Sequence, residues 1–271
     1  PGSQGAIAAS SVGASGNDSG NCEYNAEGKL ICRVQVMDNT VPGFVDTSST
    51  GITNENDDGY YTRDCLEKVY YYWYNLYKTA NKNDSGLSDR GWNAIRYIIG
   101  TAQAYGLDMA QTAYAVATAI HETKGFIRDY EEAPSGKDEK EYFKNAYDGV
   151  NGNVKGSNDG YTFRGAGYVN LTGRALYKQA ALWVGSVPGN LSYDFVSYPE
   201  LVLDPEIGAA ILILGLKNGF VSSNKTIDKY VNNQSQDWIG ARNTVNTKGV
   251  GAQDIANYAP SIYKLLQGCN K

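Results

Sequence analysis

The strongest chemical signal in this sequence is a set of carboxylates followed by a polar segment that contains several glycines. Glu122 is followed nine and ten residues later by Glu131 and Glu132, and the glycine-containing segment spans residues 163–174. Cleavage of a glycosidic bond needs a proton donor for the leaving oxygen and, for inversion, a second carboxylate that activates water. These residue types predict a glycan-cleaving site with Glu122 as the acid and Glu131 or Glu132 as its partner. Asp129 is a weaker candidate, and ordinary loop charge is the alternative.

The position of Glu122 depends on a predicted helix that begins at Asp108. Asp108 and Gln111 have the spacing of a capping box, and apolar residues recur on one face of the following segment: Met109, Ala113, Val116, Ala117 and Ile120. Gly125 is the expected stop, which places Glu122 in the last turn. The negative end of the helix dipole favours the protonated carboxyl there, which is the form that a general acid needs. A solvated glutamate at a helix end is the alternative interpretation.

Two more helices are predicted before this one, over residues 64–79 and 89–105, from the spacing of their apolar and aromatic residues. The first is crowded with tyrosine, which is more typical of a packing surface than of a sugar platform. Residues 1–20 carry almost only small and polar side chains and predict a flexible tail or linker. Residues 21–60 predict a small N-terminal extension with one hairpin, and residues 61–271 predict the main domain.

Composition and charge argue against several classes of function. The chain has 271 residues, 42% of them hydrophobic, which is enough for a normal buried core. Its net charge of −5, without a basic stripe, argues against nucleic-acid binding. The longest apolar run, residues 207–216, is too short to cross a bilayer, so we expect no membrane insertion. Because the chain begins with Pro1, we expect a processed product or a piece of a longer protein.

The four cysteines are typical of disulfides rather than of a metal site or a nucleophile. Cys22 and Cys32 flank a turn signal and predict a hairpin closed by a disulfide. Cys65 and Cys269 are candidates to join the start of the helical region to the C-terminus. Four free thiols in a reducing compartment are the alternative. His121 is the single histidine, so we expect neither zinc nor a Cys–His nucleophile, and the sequence implies no cofactor.

Three motifs, in the same order, resemble those of the family-19 chitinases and especially of the related phage and bacterial endolysins. Residues 121–126, His-Glu-Thr-Lys-Gly-Phe, resemble the His-Glu-[Thr/Ser] helix end of these enzymes. Residues 161–177 resemble their Gly-Arg-Gly-x-x-Gln-Leu-Thr-Gly-Arg-x-x-Tyr segment. Residues 241–246, Ala-Arg-Asn-Thr-Val-Asn, resemble their late Ala-Arg-x-x-[Ile/Val]-Asn segment. The similarity covers roughly residues 61–268.

The resemblance implies a mainly α (α+β) fold, with a lysozyme-like, two-lobed helical domain and a small β region beside a long cleft. The N-terminal extension would precede that domain. By the same resemblance Glu122 matches the catalytic acid, and Glu131 or Glu132 would be its partner. Several further residues match positions that bind substrate or face the cleft in the family: Asn170, Thr172, Arg242 and Asn246.

Two positions depart from the family pattern. Ala166 stands where the Gly-Arg-Gly motif has its arginine, and Asn170 is shorter than the usual glutamine. Loss of a guanidinium removes a bidentate donor, and Arg164 is the nearest replacement. Arg164, Tyr168 and His121 complete the expected set of substrate-binding residues. An isolated histidine on a helix, however, more often has a structural role.

The expected function is hydrolysis of the β-1,4 bonds between N-acetylhexosamines of bacterial peptidoglycan, by an endolysin or a virion-associated, muramidase-like enzyme. The short carboxylate spacing and the Leu-Thr-Gly-Arg sequence favour peptidoglycan over a chitin-like polysaccharide. A chitinase, a lytic transglycosylase and a non-catalytic glycan-binding module of the same fold are alternatives. An acidic domain is not steered electrostatically to an anionic wall, so we expect tethering to a larger protein or virion. The expected location is extracellular or virion-associated, at the bacterial cell wall.

Overall fold

The computed structural model describes residues 22–24, 30–32, 61–77, 81, 84, 86–187 and 192–269, with only the backbone described before residue 61. Within these ranges the protein is mainly helical. The α-helices are α1 (Arg63–Tyr77), α2 (Leu87–Ala104), α3 (Met109–Glu122), α4 (Glu139–Ala146), α5 (Asp159–Thr162), α6 (Arg174–Gly185), α7 (Pro205–Asn218) and α8 (Ala252–Gln267). The 3-10 helices are Gly167–Val169, Pro199–Leu203, Ile227–Lys229 and Gly240–Thr244. The helices predicted over residues 64–79 and 89–105 are confirmed as α1 and α2.

A pair of short antiparallel strands, β1 (Cys22–Tyr24) and β2 (Leu30–Cys32), belongs to a different compact unit from the helices. Their backbone register places Cys22 opposite Cys32, which confirms the predicted hairpin. The disulfide predicted between these two side chains lies outside the described residues. The predicted tail, residues 1–20, also lies outside them.

Two helices in the middle of the helical unit are buried nearly all round. In α3 the residues from Ala110 to Ile120 are all buried except Gln111, and in α7 those from Ile207 to Leu216 are all buried. A helix that is apolar on every face needs neighbours on every side. Accordingly α3 packs against α8, α2 and α7, and α7 also packs against α2 and α6. No helix in the described part of the chain is long and apolar enough to cross a membrane.

The start of α3 forms as its sequence predicts. The Asp108 carboxylate accepts from the Gln111 backbone N–H at 2.9 Å, and the Gln111 side-chain oxygen accepts from the Asp108 N–H at 3.2 Å. The Gln111 amide also donates to the Val231 carbonyl at 3.1 Å. This reciprocal cap fixes where α3 begins, and the regular geometry of the helix then fixes the position of its last residue, Glu122.

A disulfide joins Cys65, near the start of α1, to Cys269, just after α8. This is the pairing expected from the sequence, and the alternative of four free thiols is wrong for these two cysteines. The same helix α1 carries Trp73, which is fully buried and packs against α2. The tyrosine-rich helix is therefore anchored both to α2 and to the end of the chain.

The polar segment 163–174 is anchored by an ion pair at the start of α6. The Arg174 Nε and Nη2 atoms donate to the two carboxylate oxygens of Asp159 at 2.6 and 2.8 Å. These charge-assisted hydrogen bonds lower the pKa of Asp159 to about 2. The Arg174 backbone N–H also donates to the Asn153 side-chain oxygen at 2.9 Å. The end of the segment is thereby held to the loop around Asn153 and to α5.

An unusual carboxyl group lies in the first turn of α7. Burial, and then the negative charge of Asp204, raise the pKa of Glu206 to about 7, while Arg96 opposes the shift. Asp204 is fixed there because it caps α7, accepting from the N–H groups of Glu206 and Ile207 at 2.9 and 3.1 Å. Glu206 is therefore expected to change charge near neutral pH.

Stability should depend on the charge of Glu206. The raised pKa means that the folded protein binds this proton more tightly than the unfolded chain does, so stability should fall as the pH rises from about 4.5 to about 7. We expect Glu206→Gln to have a higher free energy of unfolding than the wild type at about pH 8, by about 1 kcal/mol. This value is below the full equivalent of the pKa shift because solvent screens a partly exposed group. Urea denaturation of the variant and the wild type at about pH 5 and about pH 8 measures the difference in the free energy of unfolding. Equal differences at the two pH values would contradict the prediction.

Candidate active site

An ion pair between Glu122 and Arg242 lies at the end of α3. The Arg242 Nη1 atom is 2.5 Å from Glu122 Oε1, and the two side chains are only 4% and 9% exposed, for Arg242 and Glu122 respectively. Glu122 is the last residue of α3, and Arg242 belongs to the 3-10 helix Gly240–Thr244. A buried carboxylate needs such a partner, because an unpaired charge in the interior is strongly destabilising. Two of the motifs identified in the sequence therefore meet here.

The ion pair changes what the sequence predicted for Glu122. From the sequence we expected the helix dipole alone to act, and it favours the protonated carboxyl. The structure adds the guanidinium of Arg242, which forms an ion pair with this carboxyl group. Arg242 contacts Oε1, whereas Glu122 Oε2 makes no hydrogen bond with the described residues. Arg242 therefore holds one of the two oxygens of this carboxyl group.

Arg242 itself is held by the loop that leads into α8. Its Nε atom donates to the Val250 carbonyl at 2.7 Å, and the Asn246 backbone N–H donates to the Arg242 carbonyl at 2.8 Å. The Asn246 side-chain oxygen accepts from the Lys248 N–H at 2.8 Å, which stabilises the turn between them. Asn246, which was predicted to face the cleft, therefore orders the loop that positions Arg242.

The turn after Glu122 is fixed by side chains from three directions. Each donates to a carbonyl of the turn: Trp73 Nε1 to Gly125 O at 3.2 Å, Arg90 Nε to Phe126 O at 3.2 Å, and Arg128 Nη2 to Glu122 O at 3.3 Å. These bonds satisfy carbonyls that the end of a helix leaves without partners. The turn that follows Glu122 is therefore hydrogen-bonded to α1 and to α2.

The helix ends one residue earlier than the glycine signal predicted. The first left-handed residue is Lys124, with φ of 51°, followed by Gly125 and Phe126 with φ of 76° and 64°. The N–H groups of Lys124 and Gly125 donate to the carbonyls of His121 and Ile120, as in a Schellman motif. Gly125 is still required there, because a Cβ atom would lie 2.2 Å from the ring of Tyr77.

Backbone pairing joins the two segments that the sequence singled out. Ala166 forms isolated antiparallel bridges with Tyr130 and with Leu171. The Glu131 N–H donates to the Gly165 carbonyl at 2.7 Å, and the Gly167 N–H donates to the Asp129 carbonyl at 2.9 Å. The segment after Glu122 and the glycine-containing segment therefore lie side by side and are joined by isolated β-bridges.

The environments of the two candidate partner carboxylates differ. Glu131 is partly buried and accepts a hydrogen bond from Tyr147 Oη at 3.0 Å. Glu132 is 62% exposed and lies 3.8 Å from the cationic groups of Lys124 and Arg128. Burial, followed by the charge of Glu131, raises the pKa of Tyr147, so this hydroxyl remains a donor. An oriented, partly buried carboxylate is better suited to activate water than an exposed one, which favours Glu131.

The remaining predicted site residues have mainly structural contacts. The Arg164 guanidinium lies 4.0 Å from the ring centre of Tyr130 and 4.1 Å from that of Tyr161, and the residue is 9% exposed. The guanidinium of Arg164 therefore stacks on these two rings, and the guanidinium that contacts Glu122 belongs to Arg242. The Thr172 hydroxyl donates to the Asn170 carbonyl at 2.8 Å. Asn170 has a left-handed backbone, with φ of 55°, as this residue type tolerates.

His121 and Tyr168 contact different partners near the end of α3. The His121 Nδ1 atom is 3.3 Å from the Asp254 carboxylate in α8, and the histidine side chain is 22% exposed. The Tyr168 ring packs edge to face on Phe126, with centroids 6.0 Å apart. Burial, and then the charge of Asp204, raise the pKa of Tyr168, which keeps its hydroxyl neutral.

Three residues of this region were not identified from the sequence: Tyr147, Arg128 and Asp254. Tyr147 lies in the loop after α4 and contacts Glu131, whereas Asp254 lies in α8 and contacts His121. The sequence carried no signal for them beyond residue type. In the described part of the chain, no group of three or more His, Cys, Asp or Glu residues is arranged to hold a metal ion.

No model of a known protein family matches this chain, and no curated protein is detectably similar to it. The likeness to family-19 chitinases and endolysins therefore rests on the three motifs alone, and the family remains a prediction.

A glycine beside His121 provides a test of the loop that holds Arg242. Gly251 has φ of 82°, and a Cβ atom there would lie 2.1 Å from His121 Nε2. We expect Gly251→Ala to lower the free energy of unfolding by about 2–3 kcal/mol, because backbone strain and a clash add. It should also lower any activity that depends on Glu122, since the neighbouring Val250 carbonyl orients Arg242.

Gly249→Ala is the matched control for this substitution. Gly249 also has a left-handed backbone, with φ of 70°, but a Cβ atom there meets nothing within 4 Å. It should show the backbone strain alone, about 1 kcal/mol, with activity retained. Urea denaturation of both variants measures the difference, and equal losses would show that the contact with His121 has no energetic role.

Proposed function

We propose that this chain is a glycoside hydrolase of lysozyme-like, two-lobed architecture that cleaves β-1,4 bonds between N-acetylhexosamines of peptidoglycan. The observation that carries the proposal is the buried Glu122–Arg242 pair at the end of α3, which is followed along the chain by the backbone-paired segments around Glu131 and Ala166. Acid/base cleavage of a glycan requires two carboxyl groups, and this chain supplies a buried one at Glu122 and a partly buried one at Glu131. The enzyme would act at the bacterial cell wall, as a secreted or virion-associated protein.

In this proposal Glu122 donates the proton to the leaving oxygen. Its Oε2 atom would carry the proton, since Oε1 already accepts a hydrogen bond from Arg242. Donation converts the carboxyl to a carboxylate, and the guanidinium at 2.5 Å stabilises the charge that develops. The charge partner needs no reorganisation during the reaction because Val250 and the 3-10 helix hold Arg242 in place.

Glu131 is the proposed base that activates water. The hydroxyl of Tyr147 donates to its Oε2 atom at 3.0 Å and orients the carboxylate. Tyr147 in turn is fixed because its ring stacks on the buried Phe143, with centroids 6.0 Å apart and 7° between the planes. Glu132, exposed beside Lys124 and Arg128, would not take part in the reaction.

Product analysis on purified peptidoglycan tests this function. We expect the wild type to release fragments with free reducing ends, and Glu122→Gln to lower the rate by about 10³-fold through loss of the acid. Glu131→Gln should also lower the rate strongly, whereas Glu132→Gln is the matched control and should retain it. Equal rates for the wild type and Glu122→Gln would contradict the proposal. Anhydro products that form without Glu131 would identify a lytic transglycosylase.

A non-catalytic glycan-binding module is the second candidate. It is favoured by Ala166, which places a buried methyl group where the family motif has an arginine, and by the ion pair that occupies one oxygen of Glu122. Such a module would co-sediment with peptidoglycan without releasing fragments, and Glu122→Gln would bind as well as the wild type.

A further inference from the structure

A pocket of about 150 Å³ lies between α2, the turn after α3 and the start of α7. Its wall is apolar where Phe126, Tyr168 and Leu203 line it, and its polar groups include Asn93 and Arg128. The pocket adjoins the candidate active site, because Thr123, directly after Glu122, also lines it. Mixed walls of this kind are typical of sites that bind a small organic group.

The size of the pocket limits what it can hold. A cavity of about 150 Å³ accommodates a group the size of benzene. A complete N-acetylhexosamine has more than twice as many non-hydrogen atoms and would not fit. The pocket is therefore suited to a short branch attached to a sugar, and not to a sugar ring of the main chain.

Arg128 indicates the chemistry of that branch. Its Nη2 atom donates to the Glu122 carbonyl, while its Nε atom is buried and has no hydrogen-bond partner among the described residues. The nearest carboxylate, that of Glu132, is 3.8 Å from Nη1, beyond the distance of a good hydrogen bond. Buried donors are rarely left without partners, so an acceptor from a ligand is expected at this guanidinium.

Other groups around the pocket suit an amide. Asn93 can both donate to and accept from a peptide group, and Asp129 can accept from its N–H. The apolar wall formed by Phe126 and Tyr168 can take a methyl group. The acetamido groups of chitin and of peptidoglycan also carry an amide and a methyl group, but only the muramic acid units of peptidoglycan carry a lactyl group that an amide joins to a peptide.

We propose that this pocket binds the first part of the lactyl-peptide branch of peptidoglycan, the lactyl methyl group and the amide that joins it to the peptide, with the amide carbonyl oxygen at Arg128 and the methyl group against Phe126. This inference rests on the proposed function, because it assigns the branch that accompanies the cleaved glycan. It makes the peptide-substituted strand, rather than bare glycan, the preferred substrate.

Hydrolysis of two forms of the same polymer tests the inference. Intact peptidoglycan is compared with peptidoglycan from which the peptides have been removed, and we expect kcat/KM for the intact form to be about 10-fold higher. Asn93→Phe fills the pocket from α2 and keeps the Arg128 side chain, so it should remove this preference and make kcat/KM the same for the two polymers. Asp89→Phe, an exposed position of α2 that does not line the pocket, controls for the added phenylalanine.

Direct binding separates failure of the inference from failure of the proposed function. The probe is N-acetylmuramyl-L-alanyl-D-isoglutamine, titrated into Glu122→Gln and into Glu122→Gln with Asn93→Phe, with di-N-acetylchitobiose as the comparison. We expect the muramyl peptide to bind at least 10-fold more weakly to the double variant, and chitobiose to bind both equally. The inference would be wrong if the wild type hydrolysed both polymers at equal rates, or if Asn93→Phe did not change the affinity for the muramyl peptide. Either result could occur even if the chain hydrolyses glycan. Binding of the muramyl peptide without any Glu122-dependent hydrolysis would support the assignment of the pocket and contradict the proposed hydrolase activity.

Discussion

Replacing Arg242 by methionine should lower the free energy of unfolding by about 3 kcal/mol or more and reduce cleavage of peptidoglycan by about 100-fold or more. The stability loss follows because Glu122, whose side chain is 9% exposed, would be left as a buried carboxylate without its counter-charge. The loss of activity follows because the charge that develops on Glu122 during proton donation would no longer be stabilised. Urea denaturation and release of reducing ends measure the two effects separately.

The double variant Arg242→Met with Glu122→Gln shows whether the ion pair is responsible. With the carboxylate removed, most of the lost stability should return, which gives a coupling free energy of about 2 kcal/mol or more between the two sites. Arg63→Met is the control for a surface pair, since Arg63 is 75% exposed and its contact with Glu67 should be worth less than about 1 kcal/mol. Additive effects of the two buried substitutions would show that the pair has no energetic role, and would weaken the case for Arg242 as the charge partner.

Removing the disulfide between Cys65 and Cys269 should have the second large effect, on stability. The bond closes a loop across a sequence separation of 204 residues, and loop-closure entropy for this length predicts about 5 kcal/mol. Because real disulfides often give less than this model, we expect Cys65→Ser with Cys269→Ser to lower the free energy of unfolding by about 3–5 kcal/mol.

The disulfide prediction is checked by urea denaturation of the double serine variant and the wild type under non-reducing conditions. Activity measured well below the unfolding transition should be retained, because neither cysteine contacts Glu122 or Arg242 through any hydrogen bond or ion pair that is described. An unchanged unfolding midpoint would show that packing of α1 on α2 and α8 already holds the ends of the helical unit together.

Local signals were sufficient for the helices that carry the site. The capping box of Asp108 and Gln111 formed as predicted, because both hydrogen bonds join residues three apart in the chain. The end of α3 after Glu122 was also close to the prediction, although Lys124 rather than Gly125 takes the first left-handed conformation. Sequence alone can specify such features when the interacting groups are neighbours along the backbone.

The sequence did not choose between Glu131 and Glu132, since adjacent residues share the same spacing from Glu122. Tertiary contacts distinguish them: Tyr147, sixteen residues further on, holds Glu131, while Glu132 remains exposed. The role expected for Arg164 also changed, because its guanidinium stacks on Tyr130 and Tyr161 instead of reaching Glu122.

By itself the sequence determined a mainly helical unit, the capped helix that ends at Glu122, and the pairing of Cys65 with Cys269 as one candidate. Only the tertiary structure decided that Arg242 is the partner of Glu122, since the two are 120 residues apart and meet through the loop before α8. The physical reason is that backbone hydrogen bonds and helix caps depend on neighbours in the chain. The partner of a buried carboxyl depends instead on which distant group the completed fold brings within hydrogen-bond distance.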